Sequence, residues 1–466
     1  MITGVHYISI LFTMSLVSLA GLYSARHVRT ASDFSVGGRR IGPALIGGSL
    51  IGSFIGGTST VGTAQTAYQY GLSAIWFTLG GGLACLLMGL FLAGPLKRQE
   101  VDTVPQFLAA AFGDSVRPWV ALYSSAGIFI QIAAQSLAAI PILTSLFPVS
   151  PQWAAAAFAA VLISYVVFGG FLSASQIGLL KMILVYSTLF VAGCISFKYL
   201  GGYRGIRETF PAVPWLSLFP GSFSKELASG ISAVIGFIST QTYLQPVFAG
   251  KDARSARLGL FLAGLLIPLA GLAAVMIGLY MRAAHPGINP GSALPLFLVQ
   301  YLNPWLGGVA LATLLISLVL SGAALCLGVG TILAQDVYGR YRPGAGEGEM
   351  LLSSRVMVLI VGLLSFIFVL FNLNTLILKW AFLSMALRGV TVFAPMMAAV
   401  FAPARVKPPA GMAAIILAPL FTLLWAILLP KAADPLYIGI AVSVFILICG
   451  VRRGAGREDL GAGRGV

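Results

Sequence analysis

Gly42–Tyr70 reads GPALIGGSLIGSFIGGTSTVGTAQTAYQY. The stretch is long and apolar enough to cross a hydrocarbon core as a helix, which takes about 20 residues. Yet Gly56-Gly57-Thr58-Ser59-Thr60 and Gly62-Thr63 fall at its mid-depth. Glycine weakens the backbone ladder where lipid offers no replacement bond, and hydroxyls can satisfy the freed groups. Residues 229–249 repeat the device with Ser239-Thr240-Gln241-Thr242-Tyr243 and then Gln245-Pro246. Close helix packing also uses small residues, but the accompanying hydroxyls favour two interrupted helices.

Around these stretches the chain is built for lipid. Of 466 residues, 58% are hydrophobic and 9% charged, with a mean hydropathy of +0.96; soluble domains are about 25% charged. Ten-residue alternating strands, the mark of a membrane barrel, do not occur. The net charge of +15 does not point to nucleic acid. Nineteen of the 28 Lys and Arg fall in alternate short loops: 26–40, 97–117, 251–257, 340–355, 405–407 and 452 onward. By the positive-inside rule those loops are cytoplasmic. Cys85, Cys194, Cys326 and Cys449 lie in apolar runs without metal or disulfide spacing, so core packing is expected for them.

The apolar runs predict thirteen spans, near 5–25, 42–70, 73–96, 118–147, 151–170, 173–197, 229–249, 256–282, 303–335, 353–372, 375–402, 410–430 and 435–451. The first lacks a basic leader and a cleavage site and reads as a retained span. An odd count puts the N-terminus outside and the basic C-terminus in the cytoplasm of a multi-pass plasma-membrane protein. The interrupted spans each open a block of five, which predicts a five-plus-five inverted repeat with its site at the breaks. The divisions are 1–41 (an extra span and loop), 42–197 (first repeat), 198–228 (extracytoplasmic loop), 229–402 (second repeat) and 403–466 (two spans and a tail). The loop, with Pro211, Pro214, Pro220, Phe210 and Trp215, suits a lid or a plain connector equally.

These residues resemble the sodium:solute symporters. The resemblance is carried by Asp33–Arg40 (DFSVGGRR), Gly56–Thr60, Tyr70-Gly71, Thr103–Leu108 (TVPQFL), Phe168–Phe171 (FGGF), Ala249 with Lys251–Arg254, and Asp336–Tyr338, in order and at family spacing from Asp33 to Pro395. It implies an all-α fold of thirteen helices with the inverted repeat, no enzyme active site and no cofactor, and symport of a small organic solute driven by a cation gradient, sodium in this family. It also implies a sodium ion between the second and ninth spans. Carried over, its ligands would be the carbonyls of Gly52, Ile55 and Ser317 with hydroxyls at positions 320 and 321. Ser321 has one; Leu320 does not. Many members also carry an aspartate on the ion's inner route, where this chain has Gly178.

One helical turn beyond Gly178 stands Lys181, roughly 13 Å into its span at 1.5 Å per residue. A mid-membrane Lys costs about 2.5–3.5 kcal/mol on insertion scales. Snorkelling to the cytoplasmic face is one explanation; substitution for the missing ion is another, with H+ coupling or no ion coupling in place of Na+ at a weakened site. Arg388 is mid-span too, and none of the thirteen acidic residues is. A guanidinium stays protonated, so Arg388 either staples broken-helix carbonyls or pairs with an anionic solute. Further candidates for the solute are Thr58, Ser59, Gln131, Gln135, Thr240, Gln241 and Tyr243, with interhelical bonding as the competing role. Gln131 and Gln135, like Ser317 and Ser321, are four apart and share a helix face. A channel would need a filter or charge ring that no span carries. A membrane enzyme would need mid-depth His, Asp, Glu or paired Cys, and a transporter-like sensor would need a signalling module.

Overall fold

The computed structural model describes residues 2–25, 41–99, 101–168, 171–429 and 434–451. The Asp33–Arg40 motif, Gly169-Gly170 and the tail 452–466 lie outside the described residues. The long described elements are helices: α1 (Gly4–Ala25), α2 (Pro43–Phe54), α3 (Thr63–Tyr70), α4 (Trp76–Leu87), α5 (Val104–Phe112), α6 (Arg117–Leu146), α7 (Pro151–Phe168), α8 (Phe171–Tyr199), α9 (Phe223–Ile238), α10 (Gln241–Ala249), α11 (Ala253–Ala284), α12 (Pro304–Ile332), α13 (Glu347–Leu370), α14 (Ile377–Phe401), α15 (Pro408–Leu428) and α16 (Pro435–Cys449).

Local chemistry sets their starts. Pro stands in the first turn of α2, α5, α6, α12, α15 and α16, where its missing N–H costs nothing. Thr103, Asp252, Asn303 and Asp434 each accept a first-turn N–H as N-caps.

Among the described residues, eight helices are long and apolar enough to cross a membrane, or nine if α9 and α10 count as one span bent by 42°. The sequence predicts thirteen. Gly4–Val17, Pro43–Phe54, Pro151–Val166 and Pro435–Cys449 are apolar but shorter than a full crossing. The break after Phe54 also divides the second expected span, whose outer part runs on into the third as one stretch, Thr58–Arg98.

Both breaks fall where the glycines and hydroxyls put them. Between α2 and α3 lie Ile55-Gly56-Gly57 and a wide helical turn, Thr58–Gly62; between α9 and α10 lie Ser239 and Thr240. The packing is reciprocal, as an inverted repeat requires. α2, first in its half, packs on α11, second in the other half, and α9 packs on α4 in return. α8 (fifth) packs on α12 (third of the other half), and α14 on α6. Within each half the first element meets the fifth, α2 on α8 and α9 on α14. Such exchange buries each half's small-residue faces against the other.

One expectation, core packing for all four cysteines, is corrected by burial. Cys85 and Cys326 are buried, but Cys194 and Cys449 are exposed on the outer surface of the bundle, because their helices present only one side to the core. The segment after α8 is structured, with short helices at Gly202–Thr209 and Ala212–Trp215. It is stitched to the rest of the protein by the Trp76 indole, which donates to Leu218 O at 2.8 Å, and by Arg282, which lies between the rings of Tyr68 and Trp215.

Candidate functional site

The two breaks meet. Phe54, last residue of α2, packs its ring 5.3 Å from Phe237 and 5.6 Å from Tyr243, and Phe237 stacks on Tyr243 at 4.2 Å. Tyr243 is therefore a buried member of an aromatic cluster that joins the breaks.

At the first break the chain closes on itself and on α6. The Ser59 hydroxyl donates to the carbonyls of Phe54 and Gly56 (both 3.1 Å) and accepts from Gly56 N (2.9 Å); Thr60 donates to Gly56 O (2.7 Å). Gln135 Oε1 accepts from Gly57 N (2.6 Å) and Thr58 N (3.3 Å), capping the second half-helix as an N-cap side chain would. Gln131 and Gln135 both donate to Thr58 Oγ1, at 3.3 and 3.5 Å. Gly57 permits this approach: a Cβ there would sit 2.1 Å from Leu318 Cδ2 and 2.3 Å from Ala138 Cβ. Gly57→Ala is expected to cost about 1–3 kcal/mol by overpacking, read as a lowered melting temperature of detergent-purified protein.

Lys181 is 1% exposed. Its Nζ donates to Gly52 O, to Ser317 O at 3.0 Å and to Ser321 Oγ at 2.7 Å. Ser317 and Ser321 donate to Ile55 O at 2.7 and 3.2 Å, and Ser321 lies 3.0 Å from Gly52 O. The ammonium and two hydroxyls thus engage all three carbonyls of the expected ion site, and Lys181 does not snorkel. Leu320 packs with Val17, Tyr165, Leu180, Leu184 and Ile316. Gly178 lies in α8 one turn before Lys181.

Arg388 is fully buried on α14. Nε donates to Ser384 O (3.0 Å), Nη1 to Thr240 Oγ1 (2.7 Å), and Nη2 to Ser384 Oγ (2.8 Å) and Met385 Sδ (3.3 Å). Thr240 and Ser384 pass their own protons to Gly236 O and Gly127 O. Gly127, Gln131 and Gln135 form one stripe on α6, and the absent side chain of Gly127 leaves room for the Arg388 stem. Among the described residues neither Lys181 nor Arg388 has a carboxylate partner.

The two buried cations are related by the repeat. Each stands about eleven residues into the fifth helix of its half and reaches the break of that half's first helix. Each also meets the third helix of the opposite half, α12 for Lys181 and α6 for Arg388.

Gln241 is placed apart from the other candidates. Its Oε1 accepts from Val104 N and its Nε2 donates to Asp102 O, both at 2.8 Å. Sequence reasoning passed over Ser384, whose signal is its position one turn before Arg388. It also passed over Ser239, whose hydroxyl, like Gln131 Oε1, is buried without a hydrogen-bond partner. Such atoms in a native site call for a partner. No cluster of His, Cys, Asp and Glu suited to a metal ion occurs among the described residues; main-chain and hydroxyl oxygens, which suit sodium, are what the breaks offer.

Two half-helices meeting at mid-depth, lined by hydroxyls, amides and buried cations, define a secondary carrier of the inverted-repeat type. The model of the sodium:solute symporter family matches residues 34–417, and the chain belongs to that family. It is 25% identical over 418 residues to a sodium/proline symporter of Haemophilus influenzae, covering 82% of this chain and 81% of that one. To the high-affinity choline transporter 1 of Drosophila melanogaster it is 24% identical over 384 residues, spanning 78% of this chain and 62% of that longer protein. Its fold is similar to a substrate-bound, outward-open sodium-coupled sialic acid symporter, with a TM-score of 0.81 at 18% identity over 96% of this chain and 97% of that one. The protein is a secondary-active symporter of a small organic solute in a lipid bilayer, not an enzyme.

Proposed function

We propose that the solute carries an anionic group, sits between the two breaks, and is moved with a proton rather than sodium because Lys181 occupies the ion's place. The observation that carries the coupling is the three-way bonding of Nζ to Gly52 O, Ser317 O and Ser321 Oγ. Three donations need the three protons of an ammonium; a neutral amine has two. Losing a proton turns an Nζ lone pair toward one of these oxygens; if Ser321 then donates to it, Ser321 gives up its own bond to Ile55 O or Gly52 O, so either way one of the bonds that hold α2, α8 and α12 together is lost. Gain and loss of that proton on opposite sides of the membrane then replaces sodium binding and release.

The solute would contact Thr58, Gln131, Thr240 and Ser239, with Tyr243 and Ser59 shaping the walls. Its anionic group would face the Arg388 Nη1 proton that the Thr240 bond leaves over. Proline and sialic acid, named for two relatives, both carry a carboxylate; choline, named for another, is a cation. Thermal-shift panels of carboxylates, neutral polyols and quaternary amines test the class, with stabilisation by carboxylates expected and selective stabilisation by amines excluding it. The competing role of Arg388, a tie across the second break, draws support from its bonds to Thr240 and Ser384.

The orientation follows from the basic loops: thirteen spans, N-terminus outside, C-terminus cytoplasmic. Counting the four shorter apolar helices beside the nine supports that number, and the reciprocal packing supports the repeat boundaries 42–197 and 229–402. Single cysteines at Arg340 and Arg204 in a cysteine-free background should react with impermeant reagents from opposite sides. Reaction of both from one side would exclude thirteen.

A further inference from the structure

The inner half of the second broken span carries a device that the solute site does not use. Gln241, first residue of α10, is 1% exposed. Its amide spans to main-chain groups 137 and 139 residues away, accepting from Val104 N and donating to Asp102 O. A carbonyl facing an N–H and an amide N–H facing a carbonyl fix one orientation of the side chain. The turn it grips is anchored elsewhere. Thr103 caps α5 by accepting from Gln106 N, and Gln106 donates to Gln335 at 3.1 Å. Beside it, Arg117 at the start of α6 bonds Asp336 at 2.8 Å and Gln335 O at 3.3 Å. The turn is thus part of a rigid corner made by α5, α6 and the end of the α12 span.

We infer that Gln241 is the latch of the cytoplasmic gate: its paired bonds hold α10 shut against the Asp102–Val104 turn, and solute leaves inward only when they break. By the proposed orientation α2 and α10 are the half-helices on the cytoplasmic side of the breaks, and a bend of 42° at Ser239-Thr240 gives α10 a hinge. In the shut state Val104 N is buried and Asp102 partly so, and the amide satisfies both; in the open state water does so. The latching amide does not itself titrate; the charged groups about its turn and α10 are Asp102, Lys97, which donates to Phe248 O, and the Arg117–Asp336 pair, and Lys181 is not among them. The inference rests on the orientation proposed above.

The test uses the full-length protein with its four cysteines replaced by Ser and a reporter Thr242→Cys, a position 2% exposed on α10. Labelling by an impermeant maleimide is timed in inside-out and right-side-out vesicles. Gln241→Leu is expected to speed labelling about tenfold from the cytoplasmic side, the effect of losing one buried and one part-buried hydrogen bond. Equal rates would overturn the latch. Faster labelling from the other side would keep the latch and overturn the orientation. Gln241→Glu keeps the bond from Val104 N–H but turns a carboxylate on Asp102 O; protonation restores the second donor. Maleimide takes the thiolate, so every variant labels more slowly in acid; the ratio of the Gln241→Glu rate to that of the Gln parent, taken at each pH, should be large at alkaline pH and fall toward one on acidification. A structural defect alone would not reverse with acid, so a ratio insensitive to pH would overturn the latch even if Gln241→Leu failed to fold.

Discussion

Lys181→Ala is expected to abolish proton-driven accumulation while leaving a folded protein. In proteoliposomes without sodium, with choline as the salt, the parent should concentrate solute when the outside is acid and lose it when a protonophore is added. The variant should reach only the equilibrium ratio, at a rate lower by roughly tenfold to a hundredfold, the cost of a buried bond unmade. Ser321 still donates toward Gly52 O, so the break need not collapse, and the vacated space is lined by three carbonyls and two hydroxyls. Sodium is a hard cation that takes oxygen ligands. With the ammonium gone those oxygens are free to take it, and sodium-dependent uptake should appear in Lys181→Ala. Parent uptake that climbs steeply with sodium and ignores Lys181→Ala would exclude the resident-cation reading.

Arg388→Gln should abolish uptake and weaken solute binding by roughly thirtyfold or more, the usual penalty for removing one partner of a buried charged pair. Arg388→Lys keeps the charge but not the fork; it should bind with intermediate affinity and lose the bond to Thr240. Affinity measured by thermal shift separates this from uptake. If Arg388→Gln loses transport but binds solute as tightly as the parent, the guanidinium is a tie between α14 and the second break, and the anionic group is excluded. The tie has a recognisable geometry already, since Nε and Nη2 return to Ser384 and only Nη1 reaches across to Thr240.

The sequence by itself determined the class and much of the frame. Hydropathy fixes where chain must be helix because lipid offers no other partner for the backbone, and glycine with hydroxyls marks where that helix must break. Gly56–Thr60 and Ser239–Thr242 are legible for this reason, as are the two buried cations, since a charge at mid-depth is conspicuous in an apolar run. The tertiary structure decided what those charges touch. Spacing puts Ser317 and Ser321 on one face, but whether Lys181 snorkels or reaches Gly52 O depends on how α8 sits against α2 and α12. Gln241 has the same polar signature as Gln131 and Gln135, yet it binds a loop while they bind Thr58. A side chain's period places it on a face of its own helix; its partner belongs to another helix, set by packing between segments more than a hundred residues apart. That is also why Leu320, adjacent in sequence to Ser321, packs in an apolar cluster and leaves the site to its neighbour.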